Sequence, residues 1–140
     1  MFLSGVKMTL LLAFLTVLFG TILGTLLSLM RLSNNKILKL ISTAYVEFIR
    51  GTPLMIQLFL FYFGIPAALG VELPEFPSAI LALSINSGAY VAEIIRSGIQ
   101  AVDKGQMEAA RSLGMGYGMS MYYIIIPQAI KNILPTLVSE

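Results

Sequence analysis

The sequence predicts an all-α integral membrane protein: three membrane helices followed by one short cytoplasmic helix. Of its 140 residues, 57% are hydrophobic and 11% are charged, whereas soluble domains carry roughly 25% charged residues. Uncharged runs extend over Met8–Met30 (23 residues), Gly51–Val71 (21 residues) and Phe76–Ala92 (17 residues). A helix needs about 20 apolar residues to cross a hydrocarbon core of roughly 30 Å, and three such lengths fit in this chain.

Absences narrow the chemistry. There is no Cys, His or Trp, which removes disulfides, thiol or imidazole catalysis and the usual zinc sites. The acidic residues are scattered and suggest no carboxylate metal cluster. No phosphate loop of the Gly-x-x-x-x-Gly-Lys-Ser/Thr type occurs, so any ATP consumed is bound by another polypeptide. The pI near 9.0 reflects basic residues flanking apolar spans, where they set topology, rather than a nucleic-acid surface.

The first helix is expected over about residues 8–30. Its apolar part is longer than a signal-peptide core of roughly 7–15 residues, and only Lys7 precedes it, so it reads as a retained span. Gly20, Gly24 and Ser28 are spaced by four, with Thr16 and Thr21 close to the same face. Small residues at this spacing let helix backbones approach closely in lipid; the partner helix is left open.

Orientation follows from the loops. Arg31, Lys36 and Lys39 follow the first span without an acid, and Glu72 and Glu75 sit between the second and third spans without a base. Arg96, Lys104, Arg111 and Lys131 follow the third. Basic loops stay cytoplasmic, so the N-terminus and the Glu72–Glu75 connection are expected outside.

The second helix is expected over about 45–65 and the third over about 77–97. Glu47 and Arg50 stand three apart, as do Glu93 and Arg96; within each pair the side chains share a helical face. Gly51 and Pro53 loosen the backbone of the second helix and favour a kink. Both charge pairs are expected at the cytoplasmic ends of their helices, where charge is tolerated. They read either as a charge clamp, pairing Glu47 with Arg96 and Arg50 with Glu93, or as interfacial anchors. Gln57 and Asn86 are the deepest uncharged polar residues. A buried amide needs a partner, here either substrate or a neighbouring helix.

Past Arg96 the pattern changes. Asp103 is a good N-cap, Gln106 completes a capping-box arrangement, and a helix is expected over Lys104–Leu113. Val102, Ala109, Ala110 and Leu113 are assigned to its apolar face, with Lys104, Glu108 and Arg111 on the polar side. Gly114 stands where a left-handed residue ends a helix. The product is a short, small-faced helix suited to a groove in a partner protein.

These residues resemble a family. Glu108-Ala109-Ala110, then Gly114 after three residues, then Ile124 and Pro127, match the EAA loop of permease subunits of bacterial ABC importers, with Ile126 where Leu is usual. The stretches Tyr45–Pro53, Gln57–Pro66 and Tyr90–Gly98 look like the branch importing polar amino acids (histidine, glutamine, glutamate, arginine and opines). The resemblance implies a type I ABC importer transmembrane fold. Two permease subunits would form the path, two ABC ATPase subunits would dock on the EAA loops (about 99–127) and bind the ATP and magnesium, and an extracytoplasmic binding protein would deliver substrate. Coupling would fall on Glu108, Ala109, Ala110 and Gly114, with Ile124 and Pro127 closing the loop. The expected location is the bacterial inner membrane.

Two departures stand out. Gly116 and Gly118 flank Tyr117, where the family carries a bulkier, more basic stretch; no strand precedes these glycines, so they form no nucleotide site. The family also continues past Glu140 through about two more membrane helices, so the single transmembrane domain reads as incomplete at its C-terminus. The expected function is a non-catalytic membrane subunit of an amino-acid importer. The alternatives are a truncated scaffold that docks partner subunits without transporting, or an importer of another solute class such as peptides or sugars.

Overall fold

A computed structural model describes residues 2–139, which form helices and short connections with no strand among them. The helices are α1 (Phe2–Leu32), α2 (Lys36–Gly51), α3 (Leu54–Leu69), α4 (Glu75–Gln100), α5 (Lys104–Ser112) and α6 (117–139). Helices α1 and α4 are long and apolar enough to cross a membrane. Two compact units divide the chain after Ala92.

In the first unit α1 packs on α4 through the small residues the sequence placed on one face. A Cβ at Gly20 would lie 2.6 Å from Ser87 Oγ, and one at Gly24 would lie 2.6 Å from Val91 Cβ. Only hydrogen fits at such a seam. Ser28 continues it by donating its hydroxyl to the Ala92 carbonyl at 3.0 Å. The partner of the Gly20–Gly24–Ser28 face is therefore α4 of the same chain. Leu27, Val46, Ile49, Ala89 and Ala92 form the buried cluster where α1, α2 and α4 meet.

The second span expected over 45–65 is not one rod. Asn35 caps α2, its Oδ1 accepting from Ile37 N–H at 2.9 Å, so this helix starts well before Tyr45. It ends at Gly51, and α3 leaves at 104° to it. Pro53 explains the break: it disfavours helical backbone at Thr52, which is extended at φ −107° and ψ 130°. Gly51 and Pro53 thus make an elbow rather than a mild kink.

Inside α3, residues Leu60–Gly64 form a π turn, closed by the Ile65 N–H on the Leu60 carbonyl five residues back. Pro66 follows at once. Proline lacks a donor and clashes with the carbonyl four residues earlier, and the wider turn gives that carbonyl room. In the second unit α6 repeats the device: Met121–Ile125 is a π turn closed by Ile126 N–H on the Met121 carbonyl, immediately before Pro127. Each turn carries an edge-on aromatic pair, Tyr62–Phe63 at 4.5 Å and Tyr122–Tyr123 at 5.0 Å between centroids.

Ile124 and Pro127 accordingly lie within a continuous helix and do not close a loop. Only 101–103 and 113–116 interrupt the helices between α4 and α6. The second unit is built around Val102, Ile125 and Ala129, against which Ile99, Met107, Met121, Ile124 and Ile133 pack.

Candidate functional site

Helix α5 has the ends its sequence predicts. The Asp103 carboxylate accepts from Gly105 N–H at 2.8 Å, satisfying one of the donors a helix start leaves open. Gln106 does not complete the box in the expected way; its Oε1 accepts from Gln128 Nε2 of α6 at 3.1 Å. At the other end Gly114 is left-handed, φ +84°. Its N–H donates to the Arg111 carbonyl at 3.0 Å and the Met115 N–H to the Ala110 carbonyl at 3.2 Å, the paired bonds of a Schellman motif.

The face of α5 that packs inward differs from the one assigned by apolarity. Ala110 is buried and Met107 half-buried, whereas Ala109 is exposed and Leu113 is 83% exposed. The longer Met107 side chain reaches the Val102–Ile125–Ala129 cluster, and it brings Ala110, three residues on, to the same side. Ala109 is thereby rotated outward, while Leu113, at φ −81° and ψ 7°, leaves the helix toward solvent. The outward surface of α5 carries Gly105, Glu108, Ala109, Ser112 and Leu113. It is shallow and small-featured, with one apolar projection. Ile124 packs against the cluster that seats α5, and Pro127 is exposed within α6.

Around the elbow, Gln57 is 3% exposed. Its Nε2 donates to the Ile49 carbonyl at 2.8 Å and the Thr52 carbonyl at 3.0 Å, and its Oε1 accepts from Asn86 Nδ2 of α4 at 3.2 Å. The break at Thr52 frees carbonyls at the end of α2, and in a low-dielectric setting these need donors. Of the two roles open to Gln57 and Asn86, the helix–helix contact is the one this geometry displays.

The four charges of the suggested clamp are placed as follows. Glu47 lies 3.8 Å from Arg31, a side chain that is only 8% exposed and also donates from Nε to Thr43 Oγ1 at 3.3 Å. Arg50 sits over the Tyr90 ring at 5.4 Å, a cation–π arrangement. Glu93 pairs with Arg96 along α4, and Arg96 also bonds Gln100 Oε1. The suggested clamp paired Arg96 with Glu47 and Glu93 with Arg50, whereas the ion pair formed along α4 joins Glu93 to Arg96, two residues that helical spacing placed on one face without assigning them to each other. Spacing did not single out Arg31, whose partner lies beyond a turn where periodicity carries no signal. It also missed Tyr45, which donates to the Ile85 carbonyl at 2.8 Å.

Residues 4–140 match the family described as "Binding-protein-dependent transport system inner membrane component", and the chain belongs to that family. It is 47% identical to the arginine transport system permease protein ArtQ of Bacillus subtilis over 99% of this chain and 63% of that protein. It is 45% identical to a putative glutamine transport system permease protein GlnP of Rickettsia bellii over 98% of this chain and 63% of that protein. The chain thus spans about 63% of the length of these relatives. A solved structure described as "Crystal structure of an amino acid ABC transporter with histidines" superposes with a TM-score of 0.93 at 56% identity, covering 99% of this chain and 64% of the other.

Proposed function

We propose that this chain is part of the permease subunit of an ATP-driven, binding-protein-dependent importer of polar amino acids, held in the bacterial inner membrane with its N-terminus outside. The observation that carries the proposal is α5, a nine-residue helix with both ends closed by its own chain and a small-featured outward face bearing Glu108 and Ala109. Such a helix transmits motion as a rigid body, because its terminal hydrogen bonds do not depend on the partner.

In this reading an ABC ATPase subunit, which binds ATP and magnesium, grips α5 at Glu108, Ala109 and Leu113, with Gly114 and Ala110 keeping the helix short and seated. Ile124 and Pro127 support the seat from α6. Closure of the ATPases displaces α5, and the helix bundle switches its accessible side. The chain performs no covalent chemistry. A second permease subunit and an extracytoplasmic binding protein complete the assembly. Glu47, Arg50, Glu93 and Arg96 serve as charged ends of the helices, and Gln57 and Asn86 hold the elbow beside the path.

The names of the relatives, an arginine and a glutamine permease among them, support the substrate class. The test is ATP-dependent uptake of labelled arginine, glutamine and histidine into proteoliposomes holding the subunit that contains this chain with its ATPase and binding protein. Uptake competed by free polar amino acids is expected; uptake competed by a dipeptide or a sugar instead would replace the substrate class.

A further inference from the structure

Helix α2 has three faces. Ser42, Val46 and Ile49 are buried. Ile37, Leu40, Ile41, Ala44 and Phe48 form an exposed apolar stripe, with Leu40 70% and Phe48 68% exposed. Lys36, Lys39, Thr43, Glu47 and Arg50 form the third face. A helix that runs through lipid shows one apolar circumference; one with an apolar stripe and a basic edge suits the boundary between headgroups and acyl chains.

Contacts along α2 give its direction. A tight antiparallel hairpin between α1 and α2 would set each residue of α2 against one progressively further back on α1, so that Glu47 would face roughly residue 21 at a rise of about 1.5 Å per residue. Instead both Thr43 and Glu47 meet Arg31 at the end of α1, and Val46 and Ile49 pack with Leu27. On α4 the partners of Tyr45 and Arg50 are Ile85 and Tyr90. These partners of residues 43–50 fall within Leu27–Arg31 of α1 and Ile85–Tyr90 of α4, so α2 does not run back along α1 as the arm of a tight hairpin. The chain then turns by 104° into α3.

We infer that α2 lies flat in the cytoplasmic membrane interface, its Ile37–Phe48 stripe in the acyl region and Lys36 and Lys39 on the headgroups of anionic phospholipid. The charge of this segment fits that occupant. Residues 31–46 contain three bases and no acid, and the first acid, Glu47, is paired with Arg31. Basic residues at the surface of an anionic leaflet each strengthen attachment. The inference uses the membrane orientation proposed above but not the identity of the solute.

The sequence contains no cysteine, so an introduced thiol in this chain is unique. Ile37→Cys, Ile41→Cys, Ala44→Cys and Phe48→Cys are spin-labelled singly, reconstituted in nanodiscs of phosphatidylcholine with one quarter phosphatidylglycerol, and their depth is measured from oxygen and nickel-chelate accessibility. Four depths agreeing within about one helical turn, roughly 5 Å, are expected. A steady descent by roughly 16 Å between positions 37 and 48, at about 1.5 Å per residue, would overturn the flat placement. A label at Leu18→Cys on α1 separates failures: if it is not deep, the membrane reading itself is wrong. For the headgroups, phosphatidylglycerol retained by the purified protein is quantified. At least twofold enrichment over the bulk is expected, abolished by Lys36→Gln with Lys39→Gln and kept by Lys7→Gln. Equal retention by the double variant and the parent protein would overturn the assignment of lipid to these lysines.

Discussion

Gln57 donates across the elbow to the carbonyl of Ile49, eight residues earlier, at 2.8 Å. One buried amide thus supplies a donor where Pro53 has none, alongside the Thr52 N–H that reaches the same Ile49 carbonyl at 3.3 Å, and it ties the elbow to Asn86 on α4.

Gln57→Leu leaves the Ile49 and Thr52 carbonyls without that donor and Asn86 Nδ2 without its acceptor. Stability should fall by about 1–3 kcal/mol, the cost of orphaning buried polar groups, read as a lowered thermal midpoint by circular dichroism in detergent. Gln57→Glu keeps the Asn86 contact and loses the two donors, so it should not restore the midpoint. An unchanged midpoint in Gln57→Leu would mean that water or another group satisfies the elbow.

Gly24→Ala should separate α1 from α4. The new Cβ meets Val91 Cβ at 2.6 Å and the Gly88 carbonyl oxygen at 2.9 Å, and backbone cannot yield as a flexible side-chain tip can. Overpacking of this kind costs about 1–3 kcal/mol. Gly5→Ala, with open space around it, is the matched control and should melt as the parent does. Equal midpoints for the two variants would remove the seam.

At Gly114 the strain is in the backbone alone, since nothing lies within 4 Å of a Cβ there. A left-handed residue other than glycine costs about 1–2 kcal/mol. Gly114→Ala should therefore loosen the end of α5 and lower ATP-driven uptake while leaving the membrane helices folded; Gly114→Asp should uncouple the ATPase more fully. Gly116→Ala is the control: with φ −65° it accepts alanine without strain. Similar uptake by Gly114→Ala and Gly116→Ala would dissociate the helix end from coupling.

Arg31 and Glu47 should show a small coupling in a double-mutant cycle of Arg31→Gln and Glu47→Gln. The Glu47 side chain is 70% exposed and the separation is 3.8 Å, so the coupling expected in the thermal unfolding cycle is about 0.2–1 kcal/mol. Arg31→Gln alone should cost more than Glu47→Gln, because the buried guanidinium also holds Thr43. The reverse order would point to a different partner for Glu47.

What depends on near neighbours was legible in the residues themselves. The uncharged runs announced the membrane, and Asp103 and Gly114 marked the ends of α5, because each of these rests on atoms within a turn or two of chain. The inward face of α5 was misjudged for a related reason. Apolarity ranks Ala109 with Ala110, but only the reach of Met107 into the Val102–Ile125–Ala129 cluster sets the rotation of the helix.

The remaining features join residues far apart in the chain. Ser28 meets Ala92 at a separation of 64, and Gln57 meets Asn86 at a separation of 29. Gly20 and Gly24 advertised a seam without naming its partner. Gly51 and Pro53 advertised a bend without its angle, since a freed carbonyl is satisfied by whichever donor the packed helices bring to it. Local chemistry specified where helices start and stop; which faces met, and at what angle, was decided by packing and by the need to pair every buried polar group.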